Sequence, residues 1–217
     1  GSVVSWAGED EHFCKELRNV SAQLARDVLH IASTSIRFAA LKRDGSVVSW
    51  GVDASESELP DYRRPVSFSD VRDQLKDITH IYSNKWAFAA VTSKGAVVTW
   101  GEATQGGNGY LNWGNNIVKE ELQEKVVGIY STDTAFVAVR SDGKVAEWGY
   151  KMSGVELDDV KEELQQGEVV HIYSTRSAFA ALMADDRIVT WGERSWVEHV
   201  QQELLPTQFC LGPPRYG

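Results

Sequence analysis

The stretch that decides the fold is Ile81-Tyr82-Ser83-Asn84-Lys85-Trp86-Ala87-Phe88-Ala89-Ala90-Val91-Thr92-Ser93-Lys94-Gly95-Ala96-Val97-Val98-Thr99-Trp100-Gly101. Its phrases recur along the chain. Ile31-Ala32-Ser33, Ile129-Tyr130-Ser131 and Ile172-Tyr173-Ser174 repeat its opening, and Phe38, Phe136 and Phe179 take the place of Phe88. From Ile to Phe is 7 residues in all four copies, and from Phe to the closing Trp is 12. Gly1 to Trp6 matches Gly45 to Trp50 letter for letter, so a fifth closing phrase stands at the start. Internal repetition at a fixed period is the mark of repeat architectures.

A cassette without insertions is what a packed β-meander requires, because a slip of one residue turns every side chain to the other face. The joint before the last strand reads Asp44-Gly45, Lys94-Gly95, Asp142-Gly143 and Asp185-Asp186. Asp-Gly suits the positive φ angles of tight hairpin turns. The closing strand, as in Val97-Val98-Thr99-Trp100, is β-branched and aromatic, a half-buried strand composition. Phe38, Phe88, Phe136 and Phe179, with Trp6, Trp50, Trp100, Trp148 and Trp191, are expected to be structural anchors, since a repeated aromatic buries a large area.

Between one Trp and the next Ile lies an amphipathic stretch. Val20-Leu24-Val28, Val71-Leu75-Ile78 and Val118-Leu122-Val126 keep an apolar stripe, as do Val160-Leu164 and Val200-Leu204. Their other faces are acidic, basic or amide, so each predicts a surface helix, with Ser69-Asp70 and Asp158-Asp159 as N-caps. The spacing from Trp to the helix Val varies: 14, 21, 18, 12 and 9 residues in successive copies. Insertions in repeat proteins collect on one face, often the binding face.

The cassette with its hairpin Asp-Gly and closing Trp-Gly resembles the repeat of the regulator of chromosome condensation family, and it is similar to the repeats of propeller-type β-lactamase inhibitors. The resemblance covers residues 1–6, 31–51, 81–101, 129–149 and 172–192. It implies a β-propeller whose blades display binding loops. Full family propellers carry seven blades, whereas four complete meanders and two fragments are present here. The expected fold is therefore mainly β with repeated surface helices. It is a β-propeller-like toroid of about five modules, each a three-stranded antiparallel meander plus one helix, with an open solenoid as the alternative. The expected domain is a single repeat domain over 1–217, with partial modules at 1–6 and 207–217.

Composition bounds the partners. The 217 residues carry a net charge of −9, and an acidic surface repels phosphate backbones, so nucleic acid is not an expected partner. No apolar run reaches the length of a membrane-spanning helix. With no initiator Met and no signal-like stretch, the chain reads equally as a mature product or as a piece of something longer. Compartment and oligomeric state are undetermined at this level. Cys14 and Cys210 lie near opposite ends; a bond between them would close a very long loop, and two reduced thiols are the simpler reading.

Catalytic patterns are missing from the sequence. Gly106-Gly107-Asn108-Gly109 lacks the Lys-Ser/Thr of a phosphate loop and reads as a flexible loop tip. His30, His80 and His171 each precede the first-strand Ile and read as repeat-encoded strand residues, without the companions a metal site needs. No cofactor is expected, and no enzyme. The expectation is a protein-binding scaffold whose partner remains unnamed. Loops 51–70 and 101–117 carry the candidate anchors Tyr62, Arg63, Arg64, Tyr110 and Trp113, the aromatic and Arg types that dominate interfaces. Trp86 and Trp196 also break the repeat pattern. A carbohydrate- or small-molecule-binding lectin using exposed Trp and Tyr is the alternative, and a structural subunit of a larger assembly is another.

Overall fold

A computed structural model describes residues 1–3, 11–51, 65–108, 120–150 and 154–195, the side chains of 11–14 and 154–155 aside. They fall in two compact units, Gly1–Lys151 and Met152–Gly217. The first unit opens with α1 (Glu11–Leu24) and module 1: β1 (Val28–Ser33), β2 (Arg37–Lys42) and β3 (Val47–Gly51). Module 2 follows with α2 (Phe68–Val71), a 3-10 turn, β4 (Ile78–Ser83), β5 (Ala87–Thr92) and β6 (Val97–Gly101). Module 3 holds β7 (Val126–Ser131), β8 (Ala135–Arg140) and β9 (Val145–Gly149). The second unit contains module 4: β10 (Gly154–Val155), α3 (Leu157–Gln165), β11 (Val169–Ser174), β12 (Ala178–Met183) and β13 (Ile188–Glu193). Each module is an antiparallel meander, and β10 adds a fourth strand to the last. The fold is mainly β, as the cassette implies.

The fixed interval of 12 residues has a direct physical cause. Phe38, Phe88, Phe136 and Phe179 stand opposite Trp50, Trp100, Trp148 and Trp191 across the second hairpin of each module. Each pair stacks, with ring centroids 5.0–5.5 Å apart. The closing Gly is equally constrained. At Gly101 φ is 112°, and a Cβ there would lie 2.6 Å from the Trp86 carbonyl oxygen. Gly51, Gly149 and Gly192 meet the same wall, so the Trp-Gly phrase is imposed by the neighbouring strand.

Within the first unit the sheets stack face to face. Ala32, Ala39 and Leu41 of module 1 pack against Ile81, Phe88, Ala90 and Trp100 of module 2, with Val71 and Leu75 in the same core. The opposite face of module 2, Ala87, Ala89 and Val91, packs on Ile129, Phe136, Ala138 and Trp148 of module 3. Small residues on the outgoing face thus receive large ones from the next module, which permits close packing of these core residues. Backbone bonds set the stagger: Ile78 N donates to Gly45 O at 3.0 Å, and Val126 N to Gly95 O at 3.0 Å.

The helices differ from expectation in three ways. Val28, Ile78 and Val126 begin strands, because Asp27, Asp77 and Lys125 just before them adopt φ of 62°, 55° and 67°, which ends a right-handed helix. The described part of the third stretch, 120–122, is a turn. The N-caps are Ser67 and Glu156, with Asp70 and Asp159 closing capping boxes from the third helical position. α1 and α3 form as expected, and Leu17, Val20 and Leu24 cover the Trp50 face of module 1.

Candidate partner-binding face

The turn between the first and second strands repeats a hydrogen-bonding device. The side chains of Thr34, Asn84, Thr132 and Thr175 accept from backbone N–H groups two and three residues ahead, the local side-chain turn that Asn and Thr favour. Asn84 does more than the three Thr. Its Nδ2 donates to Gln105 O at 2.7 Å, tying the connection after Trp100 to the turn.

In the first unit these turns are laced into a row. Ser35 N donates to Lys85 O at 2.9 Å, and Lys85 N to Asp133 O at 3.3 Å. Lys85 Nζ also meets Asp133 Oδ2 at 2.6 Å. The connections leave from the same row, since Glu102 N donates to Trp86 O and Tyr150 N to Thr134 O, and Gly51 lies against Ile36 O. The residues in front of the middle strands therefore border the points at which the connections of the unit begin. Three of the large apolar side chains here are open to solvent: Ile36 and Trp86 at 44% and Tyr150 at 37%.

The glycine-rich segment is not a flexible tip over its described part. Gly106 and Gly107 are buried. A Cβ on Gly106, at φ 98°, would fall 2.6 Å from the Phe136 ring, and Gly106 O accepts from Trp148 Nε1 at 3.2 Å. Glycine is needed there because the connection lies directly on the next module's aromatic pair. Gly109 lies outside the described residues.

So do Tyr62, Arg63, Arg64, Tyr110 and Trp113, together with Trp6, Trp196, Cys210 and the Cys14 side chain. Trp50, Trp100, Trp148 and Trp191 are buried anchors. His30, His80 and His171 sit exposed within the first strands, His80 stacked on Tyr82. Among the described residues no group of three or more His, Cys, Asp or Glu could hold a metal ion, and no helix is long and apolar enough to cross a membrane. A cleft of about 430 Å³ between modules 2 and 3 is lined by Val, Thr, Gln, Asn and other uncharged residues.

The charged side chains of module 3 brace its fold. Arg140 forms a fork onto Asp142, at 3.1 and 3.0 Å, and also donates to the Glu121 and Glu124 carbonyls. The Arg140 hydrogen bonds hold the Asp142 carboxyl down at about 2. Lys42 plays the matching part in module 1, donating to the Gln23 and Arg26 carbonyls at the end of α1.

No family model and no curated protein matches the sequence. Solved structures do. Yeast RCC1 (Prp20), in its complex with Kap60, aligns with a TM-score of 0.50 at 20% identity, over 76% of this chain and 42% of that one. Prp20p from Saccharomyces cerevisiae solved separately gives 0.49 at 19%, over 76% and 43%. The ectodomain of the Physcomitrella patens receptor kinase CR4 gives 0.48 at 14%, over 76% and 40%. On the first of these alignments the repeat resembles the RCC1 type in fold. The chain spans about two fifths of the length of these three structures.

Proposed function

We propose that this chain is a non-enzymatic protein-binding scaffold that engages a partner through the face from which its connections leave. The observation that carries this reading is Trp86. A large indole sits 44% exposed at the tip of a turn whose backbone is held by Asn84 and by the neighbouring turns. Rigid exposed aromatics lose little conformational freedom on binding and supply the anchors of interfaces. Ile36 and Tyr150 extend the apolar character of the same row, and Lys85 with Asp133 adds a polar element within it. Tyr62, Arg63, Arg64, Tyr110 and Trp113 belong to the two longest connections leaving this face, and we assign them to the same contact.

The lectin alternative has less support. Residues equivalent to Trp86 in the other modules are Ile36, Thr134 and Ser177, so the repeat offers no series of matching sugar platforms. The experiment is affinity capture with the intact chain beside Trp86→Ala and Trp113→Ala, followed by titration of the purified partner. Weaker binding by both variants, with unchanged thermal unfolding, is expected. Equal binding by all three forms contradicts the assignment.

A further inference from the structure

We propose that the partner lays an amphipathic α-helix along the turn row of the first unit, an inference that rests on the scaffold reading above and names the kind of partner. The spacing of the row carries it. Ser35 N reaches Lys85 O at 2.9 Å, and Lys85 N reaches Asp133 O at 3.3 Å. Direct backbone bonds of this kind set neighbouring segments about 5 Å apart, as between adjacent strands. Ile36, Trp86 and Thr134 stand one residue further on in each turn, so they form a line of three places with steps of about 5 Å. At the third place Tyr150 is tied to Thr134 by two bonds, from Tyr150 N to Thr134 O at 3.0 Å and from Thr134 Oγ1 to Tyr150 O at 3.3 Å. The line presents Ile36, Trp86 and Tyr150 to solvent, at 44%, 44% and 37% exposure.

Turns bonded to one another hold their spacing, so the ligand must match the line. On a helix, side chains at i and i+4 lie about 5–6 Å apart, and i to i+7 covers about 10.5 Å at the helical rise. Apolar residues at i, i+4 and i+7 therefore meet the three places in turn, the anchor pattern of a helix laid on a surface. An extended peptide turns alternate residues to one side at steps of about 6.6 Å. Its third contact falls about 13 Å from the first, roughly 3 Å past the end of the line. The middle apolar residue of the helix thus sits on Trp86. Lys85, with its side chain 49% exposed and ion-paired to Asp133, lies beside that centre. A polar flank of the helix meets this pair while the apolar stripe covers the line, which is why the helix is amphipathic.

The test is selection on the intact chain from two display libraries of peptides of about 18 residues, long enough to hold a helix. One library is helical, with Leu, Ile, Phe or Met at i, i+4 and i+7. The other carries the same residues at alternate positions, with prolines elsewhere that exclude a helix. Affinities of the selected peptides are read by fluorescence anisotropy for the intact chain, Trp86→Ala and Ile36→Ser, and circular dichroism checks the fold of each. Helical binders are expected, losing about tenfold or more in affinity on Trp86→Ala and a smaller factor on Ile36→Ser. Alanine at the i+4 position of the peptide should cost little more once the Trp86 side chain is gone, since both changes delete one contact. Binders from the extended library alone overturn the proposal. So does the absence of any helical binder, or helical binders that both variants leave unchanged. A protein partner that depends on Trp86 but binds without a helical segment overturns this inference alone, whereas capture indifferent to Trp86 overturns the scaffold reading as well.

Discussion

Phe88 lies directly across the β5–β6 hairpin from Trp100, with ring centroids 5.0 Å apart and planes inclined by 18°. Both side chains are fully buried, and this pair joins module 2 internally while pressing on module 1. Phe88→Ala should therefore cost about 3–5 kcal/mol, the range for truncating a buried aromatic. Denaturant unfolding measures it, and a loss below about 1 kcal/mol would show that the stack carries little of the core.

The closing glycines separate two kinds of constraint. At Gly101 a Cβ would meet the Trp86 oxygen at 2.6 Å and Ala87 Cα at 2.7 Å, both backbone atoms that cannot swing aside. At Gly143, φ 79°, a Cβ would meet nothing within 4 Å. Gly143→Ala should cost only the left-handed backbone penalty of about 1 kcal/mol. Gly101→Ala should cost clearly more, because the strand itself must shift. Comparable thermal shifts from the two substitutions would contradict the steric account.

Acid should loosen module 3 through one carboxylate. Asp142 is held at about 2, against an ordinary value of 3.8, by its hydrogen bonds from Arg140. A depressed folded-state value means the stabilisation is complete above 3.8 and is lost as pH falls toward 2. The stability difference between the intact chain and Asp142→Asn should accordingly shrink as pH is lowered through that window. Urea midpoints at a series of pH values test this, and a difference that stays constant down to pH 2 excludes the mechanism.

Asn84 has two duties that one substitution separates. Asn84→Thr keeps the turn acceptor used in the other modules but removes the donor to Gln105 O. Global stability should fall by about 1 kcal/mol or less, the net worth of one hydrogen bond. Amide exchange should nevertheless speed up at residues 103–107, where the connection loses its tether. Unchanged exchange there would mean that packing of Gly106 on Phe136 suffices.

Much of this architecture is readable in the sequence because the repeat prints it. The intervals of 7 and 12 residues encode strand pairing, and Phe88–Trp100 is the direct outcome. The αL residues Asp27, Asp77 and Lys125 were not legible, since nothing local distinguishes a stripe that stays helical from one that turns into a strand at Val28 or Ile78. The buried role of Gly106 depends on the ring of Phe136, thirty residues away, which no local pattern announces. The turn row had a faint signal: Thr34, Asn84, Thr132 and Thr175 occupy one repeat position, and the change to Asn marks the turn that tethers a connection. Trp86 stands out in sequence as an off-pattern Trp. Its exposure became visible only once Ala87 and its neighbours were placed in the sheet.

The most direct measurement of the central claim is the affinity of a captured and purified partner for the intact chain and for Trp86→Ala, read by calorimetry beside a thermal melt. The account predicts a loss of about tenfold or more in affinity, the effect of truncating an interface anchor, with the melt unchanged because the side chain is exposed. Equal affinity for the two forms would contradict it and move the binding surface away from the turn row.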